Sequence, residues 1–485
     1  MNLSDRLRAV VRAGGSAAQG TVHVQGPGVA AESLAPASAD RVADVLGGEW
    51  REVRGRSASA ERSGSAGVSD RAATRPRYLV IDRQYPAGHR LGRVAVADCL
   101  PAADGLWPRL DLLMSGGSGS GALRGRLLFV DLETTGLAGG AGTYAFLVGC
   151  GWFEGATFRV RQFFLSSYAA ERGLLEDVAD MIDASGALVT YNGKTFDVPL
   201  IDTRFLFHRL VARHSGLPHL DMLHPARRLW RSQGRAHFSI GARERQAPCR
   251  LTLVEQAVLG HVREGDVPGS EVPSRYFHYV RTGDASPLDG VLEHNRLDLL
   301  ALAMLTAKAA QLLEEGAAGA RTPREALGLG RLYERGGMTG EARACFARAA
   351  GADLTVGAPV DSLTVAEALR AYGLLCRRER RYADAADAWR RILALHGCPA
   401  HIAQEAAEAL AVHHEHRIRD LRAARRFAMH ALEFRASTTR VQAMQRRLAR
   451  IDRKLGVPPP QPAPLPLVGS EGPVHDKRPF TGRLS

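Results

Sequence analysis

The chain has 485 residues, more than one ordinary core accommodates, so two or three domains with linkers are expected. Its 64 Lys and Arg against 51 Asp and Glu give a net charge of +13, which favours a polyanionic partner, nucleic acid above all. Six cysteines without any Cys-x-x-Cys pair argue against a zinc ribbon or a secreted disulfide framework, and neither a signal-peptide core nor a membrane-length apolar run is present, so a cytoplasmic protein without membrane contact is expected.

Residues 1–75 are rich in Ala, Gly, Ser and Arg, in stretches such as GRSASAERSGSAG. Such composition buries too little apolar surface to offset chain entropy, which predicts a disordered basic arm. Residues 76–120, from RYLVIDRQYPAGH through WPRLDLLMSG and into GGSGSGA, are predicted to be an accessory segment followed by a flexible Gly/Ser linker.

The strand LLFVD opens the next domain, predicted over 121–315. TYAFLVGCGWF and TFRVRQFFL, separated by the turn EGA, read as an antiparallel meander. ERGLLEDVADMID has helical spacing and ALVTYNG reads as a fourth strand. The class is α/β with a sheet of mixed direction, its first strand central because it is apolar on both faces.

From about Arg321 the chain turns to Ala-rich and Arg-rich helices, predicted over 322–455. LGRLYERGGMTGEARACFARAA, YGLLCRRERRYADAADAWRRIL and VHHEHRIRDLRAARRFAMHALE share a helix, a polar turn and Ala-x-x-x-aromatic, with Phe346, Trp389 and Phe427 in matching places. This pattern is near that of tetratricopeptide helical hairpins; a plain helical bundle with aromatics in its core gives the same letters. GVPPPQPAPLPLVG then begins a Pro-rich linker and tail over 456–485.

Chemistry concentrates in LLFVDLETTG, where Asp131 and Glu133 alternate at a strand end and so point the same way. Two such carboxylates repel unless a cation sits between them, although a strand ending in a solvated acidic turn has the same pattern. Asp197, in YNGKTFDVPL, starts a helix just beyond a strand's carboxyl end, where α/β sheets place their sites and where an acid also complements the helix dipole. His294 and Asp298, in GVLEHNRLDLLALAML, lie four residues apart on one face of an apolar helix. Together these make four carboxylates able to hold two cations, with an imidazole beside them.

DLETTG, NGKTFD and HNRLD resemble the three motifs of the DEDD exonucleases on a ribonuclease H-like fold. More specifically, LTLVEQAVLGHVREGDVPGSEVPSRYFHYVRTGD leading into HNRLD resembles the bacterial YprB family of ribonuclease H-like proteins, over roughly residues 78–312. The resemblance implies that Asp131, Glu133, Asp197 and Asp298 bind two Mg²⁺ or Mn²⁺ ions and that His294 is the general base. It further implies that Thr134, Gly136 and Asn192 contact a single-stranded nucleic-acid end and that Asp221, in HLDMLHPARRLW, supports the site. The chain departs from the family pattern in one respect. Family members using histidine place it five residues before the last Asp, and here the gap is four.

The expected function is metal-dependent 3′–5′ exonucleolytic hydrolysis of DNA or RNA, with ARRLWRSQGR and GARERQAPCR tracking the phosphate backbone. Two rivals stand beside it: a catalytically silent nucleic-acid-binding module, and a scaffold that recruits a protein partner through its helical repeats.

Overall fold

The computed structural model describes residues 36–53, 75–100, 109–114, 123, 125–136, 142–211, 216–231, 249–351, 362–434 and 438–457. The Gly/Ser linker at 116–122, the larger part of the two Arg-rich stretches (232–248) and the Pro-rich segment from 458 onward lie outside the described residues.

Two expectations for the first hundred residues need correction. Within the supposed disordered arm, helix α1 (Pro36–Leu46) and strand β1 (Glu49–Glu52) are formed. Val42 and Leu46 are buried, and the Arg77 guanidinium stacks 4.6 Å from the Trp50 ring. This short apolar pattern is diluted by the Gly/Ser-rich runs on both sides, which is why composition hides it. Nor is the following segment accessory, because β2 (Arg77–Tyr85) is built into the main sheet between β1 and the strand at Thr157–Phe164.

The sheet has seven strands in the order β1-β2-β7-β6-β5-β8-β9. The meander is β5 (Leu127–Thr134), β6 (Ala145–Glu154) and β7 (Thr157–Phe164), all antiparallel, while β8 (Ala187–Thr190) and β9 (His219–Asp221) continue from β5 in parallel. A two-residue pair, β3 (Arg90–Leu91) with β4 (Val94–Ala95), stands apart. β5 lies in the interior of the sheet and its apolar residues serve both faces, Leu128 and Val130 in one core and Phe129 in the other. Helices α2 (Glu171–Asp183), α3 (Asp197–Phe207) and α6 (Val272–Thr282) pack on the Val130 side. On the Phe129 side lie α4 (Leu223–Leu229), α5 (Leu251–Leu259) and the greater part of the long α7 (Asp289–Glu315).

The helical region that follows is α8 (Pro323–Arg335), α9 (Thr339–Ala350), α10 (Ser362–Arg378), α11 (Tyr382–Ala394), α12 (Ala400–His413), α13 (Leu421–Leu432) and α14 (Thr438–Leu455). From α8 into α12 its apolar residues continue the Phe129-side core, while Ala407, Ala411, Ala428, Ala431 and Met444 form a separate small cluster between α12, α13 and α14. The second helix of each of the first two pairs inserts an aromatic ring against a glycine of the first. A Cβ on Gly330 would sit 2.5 Å from Phe346, and one on Gly373 would sit 2.9 Å from Trp389. In the third pair the matching ring, Phe427, stacks instead on His414, centroids 5.2 Å apart, at a π-helical turn (His414–Ile418). Ion pairs Arg331–Glu367, Arg343–Glu379 and Arg370–Glu405 join successive pairs at sequence separations of 36, 36 and 35. Five of the six cysteines are buried, and all six are free thiols.

Candidate active site

Strand alternation puts Asp131 and Glu133 on the Phe129 side of β5, the side crossed by α7. Just beyond Glu133 the β5–β6 register shifts by one residue, leaving Phe146 unpaired, and that ring is pinned by stacking on Tyr276 at 4.2 Å. Such a bulge turns the strand end immediately after the two acids. Thr134 Oγ1 donates to the Gly136 carbonyl at 3.0 Å, closing the strand's last turn.

Asp131 is held by a chain of amides. Asn295 Nδ2 donates to its carboxylate at 2.8 Å and to its carbonyl at 3.2 Å, and Gln162 Nε2 donates to the Asn295 oxygen at 2.8 Å. Gln162 and Asn295 are both entirely buried, so this orientation is set by the core and not by solvent.

Asp197 is the first residue of α3, where a carboxylate complements the helix dipole. The turn leading to it is clamped by buried Asp221, which accepts from the backbone N–H groups of Asn192 (2.7 Å), Lys194 (3.1 Å) and Leu223 (3.1 Å). Asn192 takes the left-handed conformation with φ of 67°, and its side-chain oxygen accepts from Thr195 at 2.9 Å.

Asp298 and His294 come from α7, with His294 Nε2 3.8 Å from an Asp298 oxygen. The loop between α5 and α6 adds groups that no local motif announces. His294 Nδ1 lies 2.6 Å from Asp266 Oδ1; an ionised carboxylate only accepts, so Nδ1 is the donor in this bond and Nε2 is the nitrogen turned toward Asp298. Arg263, only 4% exposed, approaches Asp298 at 2.6 Å, Glu255 at 2.7 Å and Asp266 at 3.4 Å. Its contact with Asp298 is an ion pair in distance, without a well-directed hydrogen bond. Glu255, with no exposed surface, also holds His261 at 2.5 Å, which staples the loop to α5.

Asp298 lies close enough to raise the carboxyls of the other three expected acids. Desolvation, then Asp298, Glu133 and Asp197, hold the Asp131 carboxyl well above the usual carboxylate range, against the Asn295 hydrogen bond. Desolvation, then Asp298, Asp197 and Asp266, do the same to Glu133. Burial, Asp221 and Asp298 push Asp197 up to about 7. These carboxylates keep a partly exposed edge, but protein surrounds them closely enough for burial to lead in each case. Hard oxygen donors in mutual repulsion suit a divalent cation, so the donor chemistry fits a metal. As the side chains stand, however, no three His, Cys, Asp or Glu among the described residues close into a ligand cage. Arg263 supplies the positive charge beside Asp298.

A family-model comparison matches residues 128–310 to the RNase_H superfamily. Residues 128–310 form an RNase H-like domain. The chain is also 36% identical over 231 residues to the uncharacterized protein YprB of Bacillus subtilis (strain 168), a match covering 47% of this chain and 52% of that protein. The chain thus spans about half the length of that curated relative. Every acid of the site, with His294, Arg263 and Asp266, falls inside the RNase H-like domain. Over those residues 19 Lys and Arg meet 20 Asp and Glu, so the domain is near neutral and the chain's positive excess lies elsewhere. Among the described residues no helix is long and apolar enough to cross a membrane.

Proposed function

We propose that this protein is a metal-dependent nuclease, a 3′–5′ exonuclease that hydrolyses phosphodiester bonds at a single-stranded DNA or RNA end. The observation that carries the reading is the meeting of acids from three elements beside the end of β5: Asp131 and Glu133 from the strand, Asp197 from the start of α3 and Asp298 from α7, with burial first and Asp298 among the causes that hold the other three carboxyls above the usual range. Carboxylates perturbed by desolvation and by specific charged neighbours are candidates for a functional site.

In this reading Asp131, Glu133, Asp197 and Asp298 hold two Mg²⁺ or Mn²⁺ ions, which supply charge neutralisation at the scissile phosphate and the leaving oxygen. His294 takes the proton of the attacking water at Nε2, the nitrogen left free by its Nδ1 bond to Asp266. Thr134, Gly136 and Asn192 seat the terminal nucleotide. The nuclease unit is 121–315 together with the sheet strands β1 and β2, and 322–455 is a tetratricopeptide-like repeat unit that would recruit a protein partner.

A second reading, a strand-binding module without turnover, draws on a different observation: Arg263 already neutralises Asp298, and the acids do not stand in a preformed cage. A divalent-metal titration of hydrolysis, on 3′-labelled and 5′-labelled single strands of DNA and RNA, decides between them. Metal-dependent release from the 3′ end that vanishes in Asp131→Ala supports the enzyme. Strand binding without release under any metal supports the silent module.

A further inference from the structure

The chain's charge is distributed very unevenly. Residues 128–310 are near neutral, and residues 311–413 carry 13 basic and 13 acidic residues. Residues 414–455 then carry 12 Lys and Arg against four acids, eight of the chain's thirteen excess positive charges. The shift coincides with a structural change. Up to α12 the arginines are matched by glutamates of a neighbouring pair, as in Arg331–Glu367, Arg343–Glu379 and Arg370–Glu405. From the π-helical turn onward the acids are too few to match them: Arg425 still pairs with Asp452 at 2.7 Å, and Glu415 is shared among several cations.

Where α14 meets that turn, one carboxylate organises three cations. Glu415 has no exposed surface and pairs with Arg447 at 2.5 Å, Arg450 at 2.8 Å and Lys454 at 3.7 Å. Those three lie at i, i+3 and i+7 on one face of α14, fixed in place with two positive charges in excess. Arg422 and Arg426 on α13, and Arg446 and Arg453 on α14, are exposed and form no ion pair among the described residues. The apolar sides of both helices are already used: Ala423, Ala424 and Ala428 are buried, as are Met444 and Ile451. An amphipathic helix that lies on a membrane needs a free apolar face, which these lack.

We infer that the basic face of α13 and α14 is a sequence-independent binding surface for the phosphate backbone of a single-stranded nucleic acid, holding the strand whose end the RNase H-like domain processes. The inference rests on the nuclease reading for the identity of the polyanion. Eleven of the twelve cations in 414–455 are arginine, whose planar fork pairs with phosphate oxygens two at a time. A domain that is itself neutral gains strand affinity from such an arm, because phosphate contacts of this kind release counterions and draw in any sequence equally.

The test uses the full chain in EDTA, with binding of a labelled mixed-sequence single-stranded oligonucleotide followed by fluorescence anisotropy over a salt series. Each phosphate neutralised on a single strand contributes about 0.7 to the slope of log affinity against log salt. Combining Arg422→Gln, Arg426→Gln, Arg446→Gln and Arg453→Gln is therefore expected to lower that slope by about 3 and to weaken low-salt binding by roughly tenfold or more. The same four positions changed to Lys keep the slope. If the fourfold Gln variant does not fold, Arg446→Gln with Arg453→Gln alone lowers the slope by about 1.4. An unchanged slope in the Gln variants overturns the inference, as does wild-type binding to anionic vesicles or an acidic peptide that equals its binding to the oligonucleotide. Digestion of the same oligonucleotide by wild type with Mn²⁺ tests the nuclease reading separately, since its failure leaves the binding result standing.

Discussion

Gly149 on β6 and Asn295 on α7 are packed so closely that a Cβ on the glycine would lie 2.3 Å from the asparagine's side-chain oxygen. Gly149 is also the registered partner of Asp131, the residue whose carboxylate Asn295 holds. Gly149→Ala therefore displaces Asn295 and releases Asp131. We expect a loss of about 1–3 kcal/mol in stability from overpacking, with a weaker Mn²⁺-induced rise in Tm. Gly151→Ala is the matched control, because its Cβ would meet the Phe158 ring at 2.6 Å and touches nothing in the site. It should lose comparable stability and keep the full response to Mn²⁺.

Asp266 faces His294 across 2.6 Å and fixes which imidazole nitrogen points at Asp298. If His294 is the base, His294→Ala lowers the metal-dependent rate by about 10²–10⁴-fold. Asp266→Asn lowers it by less, and the double variant is no slower than His294→Ala, since the two act as one unit. Additive losses in this cycle would separate Asp266 from the histidine's function.

Asp197 ties stability to pH in a direction opposite to that of a paired surface carboxylate. Its folded pKa, about 7, lies above the ordinary carboxylate value, so between those limits the folded state holds a proton that the unfolded state has lost. Its contribution is thus fully present below the unfolded pKa and is lost as pH rises through about 7. In EDTA, Asp197→Asn should gain on wild type as pH goes from about 5 to about 8, by roughly 1–3 kcal/mol in urea unfolding. Saturating Mn²⁺ should cancel the wild-type loss and leave the variant unmoved. A stability difference independent of pH would contradict the shift.

Arg263 serves three acids, one of them the fully buried Glu255. Arg263→Met leaves that charge with His261 alone and is expected to destabilise the metal-free protein by about 3–5 kcal/mol. If the guanidinium stands in for cationic charge at Asp298, Mn²⁺ restores part of the loss, and the variant gains more from the metal than wild type does. Equal gains in the two proteins would make Arg263 a purely structural tie for the loop.

Period and local pattern made much of this legible. The two-residue alternation of Asp131 and Glu133, the apolarity of β5 on both faces and the four-residue offset of His294 and Asp298 can all be read from neighbouring letters. Arg263, Asp266 and Glu255 could not be found in this way, because their meeting depends on a loop folding back over α7. Asn295 did leave a trace, an amide on the core-facing side of a leucine-rich helix, where a buried polar group must have a partner. The place of β2 beside β7 was invisible for another reason: its partner lies some eighty residues downstream, and nothing in either strand names the other.

Among the described residues both outermost strands of the sheet are short, four residues in β1 and three in β9. The longer strands, with their continuous ladders of backbone donors and acceptors, are all interior. An incoming strand from another copy finds only a few unpaired amides at either margin, too short a template for β-addition. The sheet is thereby guarded against edge-to-edge aggregation by its own geometry, without needing a covering helix at each end.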